Sequence, residues 1–184
     1  DSPSIGWGGV FNFVNNIIYN WVHRTADGGE YSTMSNFINN YYKPGPLTPE
    51  GPISYRIVKS ESRSNKLFDY PQYGRIYAAG NIVEGNERVT KDNWDGGIQI
   101  ADKDLPNGIP DDVKALMHSD EPFTMPHMTI IPSDQTFDKV LSNVGATMPC
   151  RDIVDQRIVE EVRTGQAYYV KKLPKKNPYG DMWG

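Results

Sequence analysis

Two short segments of the chain repeat the same pattern of residues. Residues 10–19 read VFNFVNNIIY and residues 34–42 read MSNFINNYY, so Asn15-Asn16 and Asn39-Asn40 lie 24 residues apart. A repeat offset of about 20–50 residues is typical of solenoids, in which one supersecondary unit stacks on its own copy. The repeat therefore predicts a coil built from stacked turns.

A third, weaker copy of the pattern occurs at residues 75–86 (RIYAAGNIVEGN), where Asn81 follows Asn40 by 41 residues. The longer offset is explained by a loop inserted at residues 43–74, which are rich in Pro, Gly and polar residues. Each copy alternates or runs apolar through Val, Ile, Phe and Tyr over about five residues, which is typical of strands buried on one or both faces. We expect short strands in every turn.

The recurring Asn pairs are expected to lie at a sharp bend between two strands. Asn tolerates the left-handed backbone conformation, and its amide can bond neighbouring backbone groups. In stacked turns each Asn amide could also pair with the Asn of the next turn. Such a ladder would satisfy polar groups whose burial otherwise costs about 1–3 kcal/mol each.

Composition limits the classes of protein that fit. The 184 residues are 38% hydrophobic with a net charge of −4, which suits one folded domain and gives no basic face for nucleic acid. The sequence contains no run of about 18 apolar residues, so no membrane span is predicted. The one cysteine, Cys150, excludes an internal disulfide and does not identify the redox compartment.

The pattern divides the chain into two parts. Residues 1–97 are predicted to form the turns of the coil, and residues 98–184 a loop-rich covering segment with helices near 111–118, 134–143 and 152–163. We expect the apolar faces of the last two helices, with Val140, Leu141, Val154, Ile158 and Val162, to pack on the coil. Because strand-like sequence begins by Gly9 without a preceding cap, we expect the chain to be the later part of a longer protein.

Five stretches in this order resemble the C-terminal half of the pectate lyases of polysaccharide lyase family 1, in the form typical of saccharolytic Bacteroidetes. They are GGVFNFVNNIIYNW, GGEYS, NNYYKPGP, GRIYAAGNIVEGNERVTKDNW and VGATMPCRDIVDQRIVEEVRTG. The resemblance covers Gly9 to Gly165. It implies a right-handed, single-stranded parallel β-helix with long loops and short covering helices.

The resemblance also implies a reaction, the β-elimination of polygalacturonate. In that family Ca²⁺ engages the uronate carboxylate and an Arg removes the C5 proton, so the metal and cations stabilise the developing charge. The family's Ca²⁺ ligands and a catalytic-site Lys would lie upstream of this chain, and no metal ligand is expected within it. Asp1 stands where the family has its catalytic Arg, so either the alignment slips at this end of the sequence or the base is absent, and the catalytic residues are unknown.

Several residues are candidates for contact with a saccharide. Glu30 falls in the strand where the resemblance implies a substrate-facing Arg, and it could bond sugar hydroxyls or orient a neighbouring cation such as Arg24. It could equally close the Gly-rich turn that it follows. Trp7, Trp21 and Trp94 could stack on sugar rings, but a Trp beside a strand is more often part of the core. Lys91 could meet a uronate, or be an ordinary surface lysine.

Three functions are consistent with the sequence. The first is a secreted or periplasmic pectate-lyase-like protein that cleaves polygalacturonate with the help of Ca²⁺. In this case the chain would act together with an N-terminal part of the same protein that precedes it. The second is a non-catalytic polysaccharide-binding β-helix, favoured by Asp1 at the position of the base. The third is a purely structural solenoid, which would bind no saccharide.

Overall fold

The computed structural model describes residues 3–6, 8–62, 72–100 and 108–168. Its strands form three parallel sheets, which we call A, B and C. Sheet A has the order β1 (Ser4–Ile5), β4 (Ala26–Gly28), β7 (Val58–Ser60) and β10 (Ile98–Ile100). Sheet B has the order β2 (Gly9–Val14), β5 (Thr33–Ile38) and β8 (Arg75–Ala79), and sheet C the order β3 (Ile17–Tyr19), β6 (Tyr41–Lys43) and β9 (Ile82–Val83).

The chain visits the three sheets in a fixed cycle. It passes from A to B to C in β1–β3, repeats the cycle in β4–β6 and β7–β9, and returns to sheet A with β10. The register between the first two cycles pairs Asn12 with Asn36 and Phe13 with Phe37. Strands of one sheet are therefore stacked in parallel with repeats in register, an arrangement compatible with the predicted parallel β-helix.

The three sheets share one apolar core. Sheet A contributes Val58 and Ile98, sheet B contributes Phe37, and sheet C contributes Tyr42 and Val83, all of them almost fully buried. Successive side chains of a strand point to opposite faces of the sheet. In β7 and β10 the first and third residues point into the core, so the middle residue points outward. The core therefore determines which side chains sheet A presents on its outer surface.

The predicted ladder of Asn side chains is confirmed at the corner between sheets B and C. The Asn40 Oδ1 accepts bonds from the Asn16 backbone N and Nδ2 at 2.9 and 3.0 Å, and the Asn81 Oδ1 accepts the same pair from Asn40 at 3.1 and 2.8 Å. Asn39 has the left-handed φ of 50° that was expected at the bend. Asn93, which the sequence did not identify, extends the ladder by accepting from Asn81 Nδ2 at 2.8 Å.

Helices cover one end and one side of the sheets. Within the described residues they are a 3-10 helix at Gly51–Tyr55 and four α-helices, α1 (Glu87–Lys91), α2 (Asp111–Met117), α3 (Ser133–Asn143) and α4 (Ile153–Thr164). The expected helices near 111–118, 134–143 and 152–163 correspond in position to α2, α3 and α4. None of the helices in the described part of the chain has the length and apolar character needed to cross a membrane.

The segment between α2 and α3 runs back along the outside of sheet B. Ser119 N donates to the Ile76 carbonyl in β8, and Phe123 N donates to Asn36 Oδ1 in β5 at 2.9 Å. Further on, Ile131 N donates to Asn15 Oδ1, just after β2, at 2.8 Å. The chain therefore crosses the third, second and first turns in that order, and brings α3 and α4 to the side of β3.

Three details of the predicted layout need correction. The expected insertion at 43–74 contains β7, a strand of sheet A whose Val58 is buried. Sheet A continues through β10, beyond the expected boundary at residue 97, because Ile98 and Ile100 enter the core. On α4, Val162 is buried as expected but Val154 and Ile158 are exposed, and Val159 packs in their place.

Candidate functional site

The outer face of sheet A carries a row of polar side chains. The strand register places Asp27 of β4 beside Lys59 of β7, and Lys59 beside Gln99 of β10. The residues on either side of each one belong to the inward face, so these three side chains share the outward face. Adjacent strands lie about 4.8 Å apart, so the row crosses the sheet in short, regular steps.

Arg24 and two carboxylates form an ion cluster at one end of this row. The Arg24 guanidinium contacts the Asp27 carboxylate through Oδ2 and reaches Glu61 Oε1 at 3.1 Å. Asp27 is only 3% exposed, while Arg24 and Glu61 are partly exposed. Because Arg24 lies three residues before Asp27, in the turn that enters β4, the local sequence brings the pair together.

Arg56 links Gln99, at the other end of the row, to His23 of the preceding turn. This buried guanidinium donates from Nε to Gln99 Oε1 at 2.7 Å and from Nη1 to the His23 carbonyl at 2.6 Å. The Gln99 amide donates in turn to the carbonyls of Pro52 and Gly96 at 2.8 and 3.0 Å. Gln99 is thus held rigidly by a network that joins three parts of the chain.

Positive charge is concentrated on this face. Desolvation of the imidazole and then the charges of Arg24, Lys59 and Arg56 lower the pKa of His23. The charges of Arg24, Arg56 and Lys59 therefore lie close enough to act on His23, and the carboxylates of Asp27 and Glu61 lie beside Arg24. We call His23, Arg24, Arg56 and Lys59 the basic cluster.

Among the permanent cations of the basic cluster, Lys59 is the most available to a ligand, because Arg24 and Arg56 are engaged by other groups. It is half-buried by its neighbours, and no hydrogen bond or ion pair joins its ammonium group to another described residue. An ammonium group is a compact charge with three donors, which suits contact with a carboxylate. The arrangement can therefore bind an anion next to fixed guanidinium groups.

Of the residues predicted from the sequence, Arg24 lies in this cluster, and Glu30 lies two residues after the end of β4. Glu30 follows β4 in a turn in which Gly28 and Gly29 have φ of 87° and 74°. The Glu30 carbonyl accepts from Thr33 N at 2.8 Å, and the residue forms an isolated bridge with Tyr73. The backbone of Glu30 thus closes the Gly-rich turn. Trp7 and Asp1 lie outside the described residues.

The remaining predicted residues are not brought to the outer face of sheet A. Lys91 is the exposed last residue of α1. Trp94 is 8% exposed, and its ring packs against His118 with centroids 4.7 Å apart. Trp21 is buried and donates from Nε1 to the Ile53 carbonyl at 2.7 Å. Trp21 and Trp94 therefore have the role of core residues, with little ring surface left for a sugar.

Sequence reasoning missed Asp27, Arg56, Lys59 and Gln99 as members of the site. One signal could have indicated three of them, since AlaAspGly at 26–28, ValLysSer at 58–60 and IleGlnIle at 98–100 all place a polar residue between small or apolar ones. Triplets this short occur by chance in any chain. Only the strand register shows that these three form one row.

The described residues do not form a metal site. No group of three or more His, Cys, Asp or Glu side chains within residues 3–6, 8–62, 72–100 and 108–168 could hold a metal ion. The two carboxylates of the outer face, Asp27 and Glu61, are both engaged by Arg24. A Ca²⁺ ion needs six to eight oxygen ligands, which this face does not offer.

Comparisons with known proteins do not identify the chain. No protein-family model matches it, and no curated protein sequence matches it. The candidate site is therefore defined by its own geometry: a row of outward polar side chains on a parallel sheet, flanked by a cluster of basic groups.

Proposed function

We propose that the chain is part of a right-handed parallel β-helix of the pectate lyase type, which binds an acidic polysaccharide such as polygalacturonate across the outer face of sheet A. The observation that carries this proposal is the basic cluster beside the row of Asp27, Lys59 and Gln99. The right-handed sense of the coil is proposed because connections between parallel strands are right-handed in about 98% of cases.

The chemistry of the face suits a linear polyanion. Lys59 and Arg24 would attract uronate carboxylates. Gln99, whose N–H groups already donate to Pro52 and Gly96, would accept one bond from a sugar hydroxyl through Oε1. A chain of sugars lying across the strands would meet one outward side chain at each strand, about every 4.8 Å. Because much of the attraction is electrostatic, the affinity should fall as ionic strength rises.

The described residues would bind and orient the polysaccharide rather than hold Ca²⁺. Since they do not provide a Ca²⁺ site, we assign no step of an elimination to them. In the lyase hypothesis the Ca²⁺ ligands and the base would come from other parts of the same protein, next to this face. Such a protein would act outside the cell or in the periplasm, where its substrate is found.

A second candidate is a polysaccharide-binding β-helix without lyase activity. It is favoured by Asp1, which stands at the position where the resembled family has its catalytic Arg. It is also favoured by the pairing of Arg24 with Asp27 and Glu61, which engages the nearest guanidinium in structural ion pairs. Both candidates predict the same binding face.

Two measurements separate the candidates. Calorimetry with polygalacturonate should detect binding that weakens at high salt, and ultraviolet absorbance at alkaline pH with Ca²⁺ should detect unsaturated product if the protein is a lyase. Binding without product would select the non-catalytic candidate. A lack of binding to polygalacturonate at low salt would contradict both and leave a structural solenoid.

A further inference from the structure

A cavity of about 360 Å³ lies at the end of the outward row of sheet A. It is lined by residues of the 3-10 helix, the turn after α1, strand β10, and the start of α2 with the residues before it. Gln99 belongs to both features, because it is the last member of the row and also lines the cavity. The row and the cavity are therefore continuous, and we call the cavity the β10 pocket.

One side of the β10 pocket is apolar and belongs to the core. Ile98 and Ile100 of β10 are almost fully buried, and Trp94 beside them is buried as well. Because these side chains are packed in the core, this side of the pocket is pre-formed. Pockets of about 300–1,000 Å³ with apolar walls and a few polar groups are the usual binding sites for small ligands.

Tyr55 contributes an aromatic ring to the pocket. The Arg88 Cζ lies 5.3 Å from the centroid of this ring, and Arg88 Nη1 donates to the Asp95 carbonyl at 2.7 Å. Gly96, with φ of 98°, leaves room for this pair, since a Cβ atom there would lie 3.0 Å from an Arg88 nitrogen and 3.3 Å from the Tyr55 ring. The Tyr55 ring is thus held in place, and can pack against the ring of a sugar.

Lys114 contributes positive charge to the same pocket. Its Nζ lies 5.9 Å from the centroid of the Trp94 ring, and the side chain is only partly exposed. No described carboxylate forms an ion pair with this ammonium group, which leaves its donors available to a ligand carboxylate. Asp111, one helical turn earlier, is exposed at the rim and can accept bonds from hydroxyl groups. A cation and an acceptor of this kind suit a sugar acid.

We propose that the β10 pocket binds one uronate residue of the polysaccharide that lies along the row of sheet A. The uronate carboxylate bonds to Lys114, and the sugar ring packs against Tyr55. Its hydroxyls donate to Asp111 and to Gln99 Oε1. The identity of the sugar rests on the proposed function, and the pocket adds a site for a single uronate beyond the sheet.

The spacing of the groups supports one continuous site. Asp27, Lys59 and Gln99 occupy successive strands about 4.8 Å apart, and β10 is the last described strand of sheet A. A saccharide that follows the row therefore leaves the sheet at Gln99, where the β10 pocket begins. A saccharide long enough to reach both Lys59 and Lys114 should bind more tightly than a single sugar, because the second contact is made within one complex.

The first test uses galacturonate, the single sugar, as the probe. NMR spectra of the full chain should show galacturonate-dependent shifts of the backbone amides at residues 96–100 and 109–114. Lys114→Gln should abolish these shifts at the same concentration, because the carboxylate loses its cation. Shifts that persist unchanged in Lys114→Gln, or no shifts of these amides at tens of millimolar galacturonate, would overturn the proposal.

The second test uses hexagalacturonate and calorimetry. Lys114→Gln should weaken binding about tenfold, whereas Lys114→Arg, which keeps the charge, should retain most of the affinity. Tyr55→Leu should also weaken binding, since it removes the aromatic ring and leaves an apolar side chain. Lys139→Gln, on the exposed surface of α3, is the matched control for net charge. Equal losses in Lys114→Gln and Lys139→Gln would remove the β10 pocket from the site.

The same measurement with Lys59→Gln separates this proposal from the proposed function. A loss of affinity in Lys59→Gln with none in Lys114→Gln would overturn the pocket and leave binding on sheet A intact. A loss in Lys114→Gln with none in Lys59→Gln would support the pocket and contradict the outer face of sheet A. A loss in both variants supports one saccharide bound across the two.

Discussion

The corner between sheets B and C and the outer face of sheet A are both rich in polar side chains, yet they differ in how these are satisfied. At the corner, Asn40 and Asn81 are buried and bond to one another and to backbone groups. On the outer face, Lys59 has no bonding partner among the described residues, and charged groups lie partly exposed. The corner is neutral and closed, whereas the face is charged and open.

This difference indicates that the corner stabilises the fold and that the outer face of sheet A is the candidate binding site. A buried polar network in which every member is satisfied specifies one structure, and it leaves no group for a ligand. A charged side chain held at a sheet surface without a partner costs little there, because water still reaches it, and it can exchange that water for a ligand. Polar content by itself therefore does not indicate function in this coil.

The largest expected effect is at the corner. Asn40→Leu should lower the free energy of unfolding by about 3 kcal/mol, because it leaves the Asn16 N–H, the Asn81 Oδ1 and the Phe13 carbonyl without their partner. Urea unfolding measures the change. Asn143→Leu on the exposed end of α3 is the control and should change stability by no more than about 0.5 kcal/mol. If both cost the same, the ladder does not stabilise the coil.

On the outer face, the effect should appear in binding rather than in stability. Lys59→Gln should weaken the affinity for polygalacturonate about tenfold, since a charge-assisted bond to a carboxylate is lost. Unfolding should be almost unchanged, because no described residue pairs with Lys59. Lys139→Gln, on the exposed surface of α3, is the control for general charge. Equal losses of affinity in the two variants would mean that only net charge matters.

The smallest effect concerns the titration of His23. Its pKa is lowered in the folded protein, so the unfolded chain binds more protons as pH falls through the ordinary value of 6.5. The contribution of His23 to stability is thus complete above that pH and is lost as the protein is acidified. NMR titration should show the His23 pKa moving up toward 6.5 in Lys59→Gln. An unchanged midpoint would place Lys59 too far from His23 to belong to the basic cluster.

Much of the scaffold was predictable because its signal is local and repeated. The Asn pairs at 15–16 and 39–40 recur with matching flanks, and such a repeat predicts both the stacking and the ladder. β7 was missed because it is three residues long and lies in a stretch rich in Pro and polar residues. Asn93 was missed because it joins the ladder only 12 residues after Asn81, without the repeated flanks.

The site was much less predictable, for a physical reason. Lys59 and Gln99 come together through the register of β7 and β10, whose paired residues are 40 positions apart in the chain. Nothing in the few residues around Lys59 indicates that Arg24 and His23 lie beside it. Arg24 was proposed as a cation close to Glu30 in the sequence, whereas Trp94 was proposed for its chemistry and proved to be buried.

The most direct test of the account is a map of where an oligogalacturonate contacts the folded protein, measured by hydrogen exchange with and without the saccharide. The account predicts added protection at residues 23–27, 56–61 and 98–100, which form the outer face of sheet A, and none at the corner residues 15–16 and 39–40. Protection confined to sheets B and C, or no protection at a saturating concentration, would contradict it.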